Sequence, residues 1–241
     1  MRFFYAMAVL TTVGVAAMTV FSGSGESQKG STENGPSSVP AKASALPKDI
    51  YPDSLARLPL VKREEMDEQG KKLYDLFGSP EARSAAGLKG PYGVWLYSVP
   101  VAGHAQALNY YLRYETDLGR RLTELAILVT ARELDNQYEW TAHEPLALKE
   151  GLEPEIIDTV KHRKGIAGLG EKEALIISFG RELFGRKKVS SQTFAKARKV
   201  FGQQGVVNLA ALMGDYASIS ATINAFDLQL LPDQKPLLPL P

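Results

Sequence analysis

Apolar side chains recur every three to four positions through most of the chain after residue 59, which is the spacing of amphipathic helices. The spacing predicts helices over residues 63–77, 100–115, 122–134, 136–150, 171–184, 191–201 and 206–228, and a short helix that begins at Pro154. Residues 125–129 are apolar on nearly all sides, which is typical of a helix buried in a bundle. No alternating strand pattern occurs and the connecting segments are short, so the sequence predicts an all-α fold.

Residues 1–22 have a different pattern from the helical part of the chain. Arg2 precedes an uncharged stretch over residues 3–21, and Ser and Gly residues follow it. A positive start, an apolar middle and small residues after it predict a signal peptide. The apolar stretch is also nearly long enough to cross a bilayer, so an uncleaved membrane anchor, tethered through residues 3–21, remains an alternative. Both readings place the body of the protein outside the cytoplasm, either periplasmic or secreted, or anchored and facing outward.

Two further segments lack a helical pattern. Residues 23–48 are rich in Ser, Gly, Pro and Lys, and such a composition cannot bury enough apolar surface to order itself, so we expect a disordered linker. Residues 232–241 contain four prolines and predict a frayed, extended Pro-rich tail. The folded domain is therefore expected over residues 49–231.

Composition and charge exclude several classes of function. The 241 residues carry 28 basic and 27 acidic side chains, and no segment is basic enough to follow a phosphate backbone, so we expect no nucleic-acid partner. The chain has no cysteine, which excludes disulfides, thiol nucleophiles, thiolate metal sites, iron–sulfur clusters and a lipoprotein cysteine. Its length suits one domain plus appendages.

The run from Tyr138 to Glu144 carries the candidate chemistry. At helical pitch Asn136, Glu139, Trp140 and His143 share one face. A lone histidine on a buried face is more often a satisfied core residue than a catalyst, but Glu139 lies one turn earlier and can accept a hydrogen bond from its ring. Trp140 would form a wall that lowers the local dielectric and perturbs both groups. The pattern predicts an acid/base pair.

The neighbouring acidic and phenolic groups have competing interpretations. Glu124 falls in the first turn of its helix, where the helix dipole and the preceding Arg120 and Arg121 give it a sufficient structural role. Tyr138 either donates a proton in the site or packs with its hydroxyl hydrogen-bonded, and Glu144 is expected to face solvent.

Histidine spacing bears on a metal site. No second histidine lies close in sequence to His143, because His104 and His162 belong to other segments, and the zinc-protease pattern is absent. We therefore predict no metal site and no cofactor.

The same residues resemble the carboxymuconolactone decarboxylase family, which also includes the alkylhydroperoxidase D-like proteins. The resemblance extends over residues 60–231 and rests on four runs, which are RRLTELAI at 120–127, YEW at 138–140, HEPLA at 143–147 and GL at 151–152. It implies an alkylhydroperoxidase D-like helical bundle over the domain at 49–231, and a homo-oligomer, either a trimer or a hexamer.

The peroxidase branch of that family uses a Glu, a Cys-x-x-Cys pair and a His as a proton relay. Placed on this chain, the Glu falls at Glu124, the His at His143, and the two cysteine positions at Asn136 and Glu139. Neither of the latter residues can form a sulfenic acid or a disulfide, so thiol peroxidase chemistry is excluded. The decarboxylase branch needs no cysteine, and there the resemblance implies acid/base catalysis on a carboxylated lactone, with loss of carbon dioxide through an enol-like intermediate.

These observations predict a cofactor-independent acid/base enzyme of the decarboxylase or lyase type, acting on a small carboxylated substrate. An exported location fits poorly with an aromatic-degradation pathway, so the substrate stays open. The alternative is a non-catalytic scaffold of the same family that binds a small ligand or a partner. The predicted catalytic residues are His143, Glu139, Glu124 and Tyr138, and the predicted substrate-binding residues are Asn136, Trp140, Arg113 and Arg121.

Overall fold

The structure, a computed structural model, describes residues 46–84 and 86–240. The signal peptide or anchor predicted over residues 1–22 lies outside this range, as does the predicted linker except for its last three residues. The described range contains eight α-helices and no strand, which confirms the all-α prediction. The helices are α1 (Glu68–Phe77), α2 (Pro91–Trp95), α3 (Val99–Tyr114), α4 (Arg120–Glu133), α5 (Gln137–Lys149), α6 (Pro154–Lys161), α7 (Glu171–Gly180) and α8 (Ser191–Phe226).

Local signals explain where the observed helices differ from the predicted ones. The prediction over 63–77 is wrong at its start, because the Asp67 side chain accepts from the Gly70 amide and begins α1 at Glu68. The helix predicted over 171–184 is α-helical only to Gly180, and its last turn, Arg181–Gly185, is π-helical. The two helices predicted over 191–201 and 206–228 form α8, which is interrupted at Gly202, where φ is 73°.

Helix α4 lies at the centre of the bundle and packs against α5, α7 and α8. Its residues from Leu122 to Arg132 are all buried, as its apolar character predicts. The contact with α7 is close, because a Cβ on Gly180 would lie 2.4 Å from Cγ1 of Val129. Glu124, which lies within this buried stretch, is therefore held inside the protein.

Helix α8 is long and apolar enough to cross a membrane by length and composition alone. Half of its most apolar window is buried within the domain, which is typical of the core helix of a bundle.

The C-terminal tail is extended, but the prediction that it is frayed is wrong. The backbone amides of Leu237 and Leu238 donate to side chains of α5, each at a distance of 3.2 Å. Nη1 of Arg132, on α4, donates to the carbonyl oxygen of Pro239 at 2.8 Å. Leu238 is only 4% exposed and belongs to the hydrophobic core. These three hydrogen bonds and the buried side chain of Leu238 hold the tail against α4 and α5.

Candidate active site

A cleft of about 580 Å³, counting its open mouth, lies between α3, α5 and the C-terminal half of α8. The loop before α2 forms its rim, and Gln234 of the C-terminal tail completes one wall. Among the residues predicted to be catalytic, Tyr138, Glu139 and His143 line it.

Glu124 and His143 are in direct contact, although they are nineteen residues apart and lie on different helices. Nδ1 of His143 is 2.7 Å from Oε2 of Glu124. Oε1 of Glu124 accepts from Nη2 of Arg120 at 2.8 Å and lies 3.4 Å from Nη2 of Arg113. The Glu124 side chain is completely buried behind the imidazole, so it acts on the cleft through His143.

Glu139 lies on the other side of the same ring. Its Oε2 is 3.4 Å from Nε2 of His143, which is longer than an N–H···O hydrogen bond. The prediction that the ring donates to Glu139 is therefore wrong, since the close hydrogen bond of the ring is the one to Glu124. The remaining gap leaves Glu139 and Nε2 free to bond to a ligand in the cleft.

The two carboxyl groups have opposite shifts in pKa. Burial alone would raise the pKa of Glu124, but His143, Arg113 and Arg120 together outweigh it and lower that pKa to about 2. Burial raises the pKa of Glu139, and the opposing effects of His143 and Arg113 do not cancel it. The Glu124 carboxyl group is thus a stronger acid than an ordinary glutamic acid and the Glu139 carboxyl group a weaker one, which separates the two in acidity.

Arg113, which is predicted to bind the substrate, lines the cleft. Its side chain is more than nine-tenths buried. Within the part of the chain that the structure describes, its Nε has no hydrogen-bond partner, and its only carboxylate contact is the 3.4 Å approach to Glu124. A buried guanidinium that still has an unused N–H donor favours an anionic ligand. A second arginine, Arg83, lies at the rim with its guanidinium 4.4 Å from the ring centre of Tyr114.

Arg121 is not at the cleft, so its predicted role in binding the anion is wrong. Its Nη1 donates to Glu173 at 2.6 Å, and its Nε donates to Glu153 at 3.1 Å. Helix α4 turns this side chain away from Glu124 toward α6 and α7. Its charge is already satisfied by these two carboxylates.

Trp140 and Asn136 also lie outside the cleft, contrary to the prediction. Trp140 is fully buried in the core, and its Nε1 donates to Glu144 at 2.5 Å. Glu144 also accepts from Lys161 at 2.8 Å, so it does not face solvent as expected. The Asn136 side chain accepts from the Glu139 amide at 2.9 Å and caps α5.

The aromatic wall of the site is Tyr216, which the sequence interpretation missed. Its ring meets the His143 imidazole edge-on, with 5.1 Å between ring centres and an angle of 86°. Tyr216 comes from α8, more than seventy residues away in sequence, so periodicity within α5 gives no sign of it.

Three more polar residues beside the cleft were missed. Tyr92 donates to Oδ1 of Asn109 at 3.1 Å, and Nδ2 of Asn109 donates to Asp215 at 2.8 Å. Burial raises the pKa of Asp215 to about 6, although Asn109 and Arg113 oppose this. Both helices carry other polar residues, so the sequence does not distinguish Asn109 in α3 or Asp215 in α8 from them.

No group of three or more His, Asp or Glu side chains within 46–84 and 86–240 is arranged to hold a metal ion. Comparisons with known protein families, with curated proteins and with solved structures find no match to this chain.

Proposed function

We propose that this protein is a cofactor-independent acid/base enzyme, of the decarboxylase or lyase type, that acts on a small carboxylated substrate in the cleft. The observation that carries the proposal is the placement of two carboxyl groups on opposite sides of one buried imidazole. Glu124 lies 2.7 Å from Nδ1 of His143, Glu139 lies 3.4 Å from Nε2, and their pKa values are shifted in opposite directions.

Glu124 and His143 act as one unit. Ionised Glu124 accepts Nδ1–H, which fixes the tautomer and leaves Nε2 to exchange a proton with Glu139 or with the substrate. Glu124 also stabilises the imidazolium that forms when Nε2 takes up a proton. Glu139, whose pKa is raised by burial, is the proton donor to the reacting carbon.

For a decarboxylation these roles give a balanced sequence. The bond between the carboxylate carbon and its neighbouring carbon breaks, and the electron pair moves to an adjacent carbonyl to form an enolate as carbon dioxide leaves. Glu139 then protonates the carbon, and Nε2 of His143 returns a solvent proton to Glu139. Arg113 holds a carboxylate of the substrate through the donors that no described residue uses.

We further propose that the chain is a cysteine-free relative of the carboxymuconolactone decarboxylase family, with an alkylhydroperoxidase D-like bundle. The all-α fold and the contact between Glu124 and His143 support this, because the relay of that family needs its Glu and His together. Export from the cytoplasm and assembly into a trimer or hexamer belong to the same proposal, and rest on the N-terminal sequence and on the resemblance.

A turnover screen with lactone and keto-acid carboxylates tests the enzyme. We expect His143→Ala and Glu139→Gln each to lower kcat by about 100-fold or more, since each removes a proton-transfer group. Arg113→Gln should raise KM, whereas Arg121→Gln, the matched control outside the cleft, should change neither constant. Equal activity in wild type and His143→Ala would refute the catalytic role. Ligand binding without turnover in wild type would instead support the non-catalytic scaffold.

A further inference from the structure

Asn109 is held at both ends of its amide by residues from two other helices. It lies on α3, is 3% exposed and lines the cleft. Its Oδ1 accepts from Tyr92 of α2 at 3.1 Å, and its Nδ2 donates to Asp215 of α8 at 2.8 Å. The amide can therefore neither rotate nor flip without breaking both hydrogen bonds.

One hydrogen-bond donor of this amide remains unused. A side-chain amide has two N–H groups, and Asp215 takes only one of them. No other acceptor for Nδ2 lies among the residues that the structure describes. An ionised carboxylate accepts but cannot donate, so Asp215 also determines which end of the amide is nitrogen.

Asp215 itself has little other reason to be buried. It is 7% exposed and pairs with no cation within the described part of the chain, which makes its ionised form costly there. Its observed hydrogen bond is to Asn109, so its position is best explained by what it does for that amide.

Asn109 and Arg113 are four residues apart on α3, so their side chains lie on the same face of the helix and both reach the cleft. A substrate whose carboxylate is bound by Arg113 would therefore have its adjacent carbonyl group close to Asn109.

We propose that Asn109 is a further catalytic residue, whose free N–H donates to the substrate oxygen that becomes the enolate, and that Asp215 is its positioning residue. The proposal rests on the proposed function, because that function supplies the enolate. A neutral hydrogen-bond donor that is already fixed where negative charge develops stabilises the transition state without any rearrangement of the site. Removing one such donor typically lowers kcat by a factor of about 100 to 1,000.

The first test uses 4-nitrophenol, a planar oxyanion probe whose ionised form is coloured, and nitrobenzene as the matched ligand without the oxygen. Wild type should bind the phenolate more tightly than nitrobenzene. Asn109→Ala should weaken phenolate binding by about tenfold, the value of one hydrogen bond to a charged group, and leave nitrobenzene binding unchanged. His104→Ala, at an exposed position of α3 outside the cleft, is the control and should change neither affinity.

Asp215→Asn should lose part of the same preference, because its own amide can turn either end toward Asn109. The double variant Asn109→Ala with Asp215→Asn should lose no more than Asn109→Ala alone. A role confined to folding would not alter the ratio of phenolate to nitrobenzene affinity. Phenolate binding that is no tighter than nitrobenzene binding in wild type, or that is unchanged in Asn109→Ala, would overturn the proposal.

The two proposals fail separately. Loss of turnover in His143→Ala together with unchanged phenolate binding in Asn109→Ala removes only the role of Asn109. Phenolate binding that depends on Asn109, in a protein that turns over no substrate in the screen, removes the enzyme and leaves an oxyanion-binding site.

Discussion

The substitution Glu124→Gln tests the electrostatic basis of the site. Glu124 is completely buried and is the shared acceptor of Arg120, Arg113 and His143. Its pKa falls from an ordinary 4.5 to about 2. That change corresponds to about 3 kcal/mol of stability, because each tenfold shift in an ionisation equilibrium is worth about 1.4 kcal/mol. Removing one partner of a buried ion pair typically costs about 3–5 kcal/mol, which is the same size of loss.

The variant should therefore lose about 3 kcal/mol at pH 7, measured by urea unfolding, and its Tm should fall by roughly 10 °C. The folded pKa of Glu124 is below the unfolded one, so its contribution is complete above about pH 4.5 and is lost as the pH falls toward 2. The difference between wild type and variant should shrink over that window. Glu153→Gln is the control, because its pair with Arg121 is half exposed and should be worth less than about 1 kcal/mol. A Glu124→Gln variant within 1 kcal/mol of wild type at pH 7, by the scale of such surface pairs, would refute the reasoning.

Three other substitutions give distinct outcomes. The pKa of Asp215 is raised from 3.8 to about 6 in the folded protein, so its contribution of about 3 kcal/mol to the free energy of unfolding should be lost as the pH rises through that range. Urea unfolding at pH 4 and pH 7 should show this loss in wild type and not in Asp215→Asn. Leu238→Ala should cost about 2 kcal/mol or more because Leu238 is buried in the core, whereas Leu240→Ala, at a half-exposed side chain, should be neutral in the same assay. Gly180→Ala should cost about 2 kcal/mol in thermal unfolding, since its Cβ would overlap Val129, and an unchanged Tm would contradict the close packing of α7 on α4.

Periodicity predicted the helices well because each one is specified by residues close together in sequence. The apolar character of α4 predicted its burial, and the pairing of Glu139 with His143 on one face of α5 was visible from spacing alone. Asn136 shows the limit of the same signal. It precedes a helix and is a common capping residue. Its side chain accepts from the Glu139 amide, and this cap explains the presence of Asn136 without any ligand.

The rest of the site depends on contacts between helices that spacing within one helix cannot show. Asp215 lies 106 residues from Asn109, and Tyr216 reaches His143 from α8. Arg121 is closer in sequence to Glu124 than Arg113 is, yet Arg113 contacts Glu124 because α3 crosses α4 at that point. Only the packing of the helices distinguishes the two arginines.

The origin of the cleft walls bears on when the site forms during synthesis. His143 is translated long before Tyr216 of α8 and Gln234 of the tail, which complete its surroundings. Ribosomes add about 5–20 residues per second, so the ionisable groups of α4 and α5 wait roughly 5 to 20 seconds for their cover. During that interval the chain lacks two residues of the cleft wall, so it has no finished site with which to bind or convert a ligand.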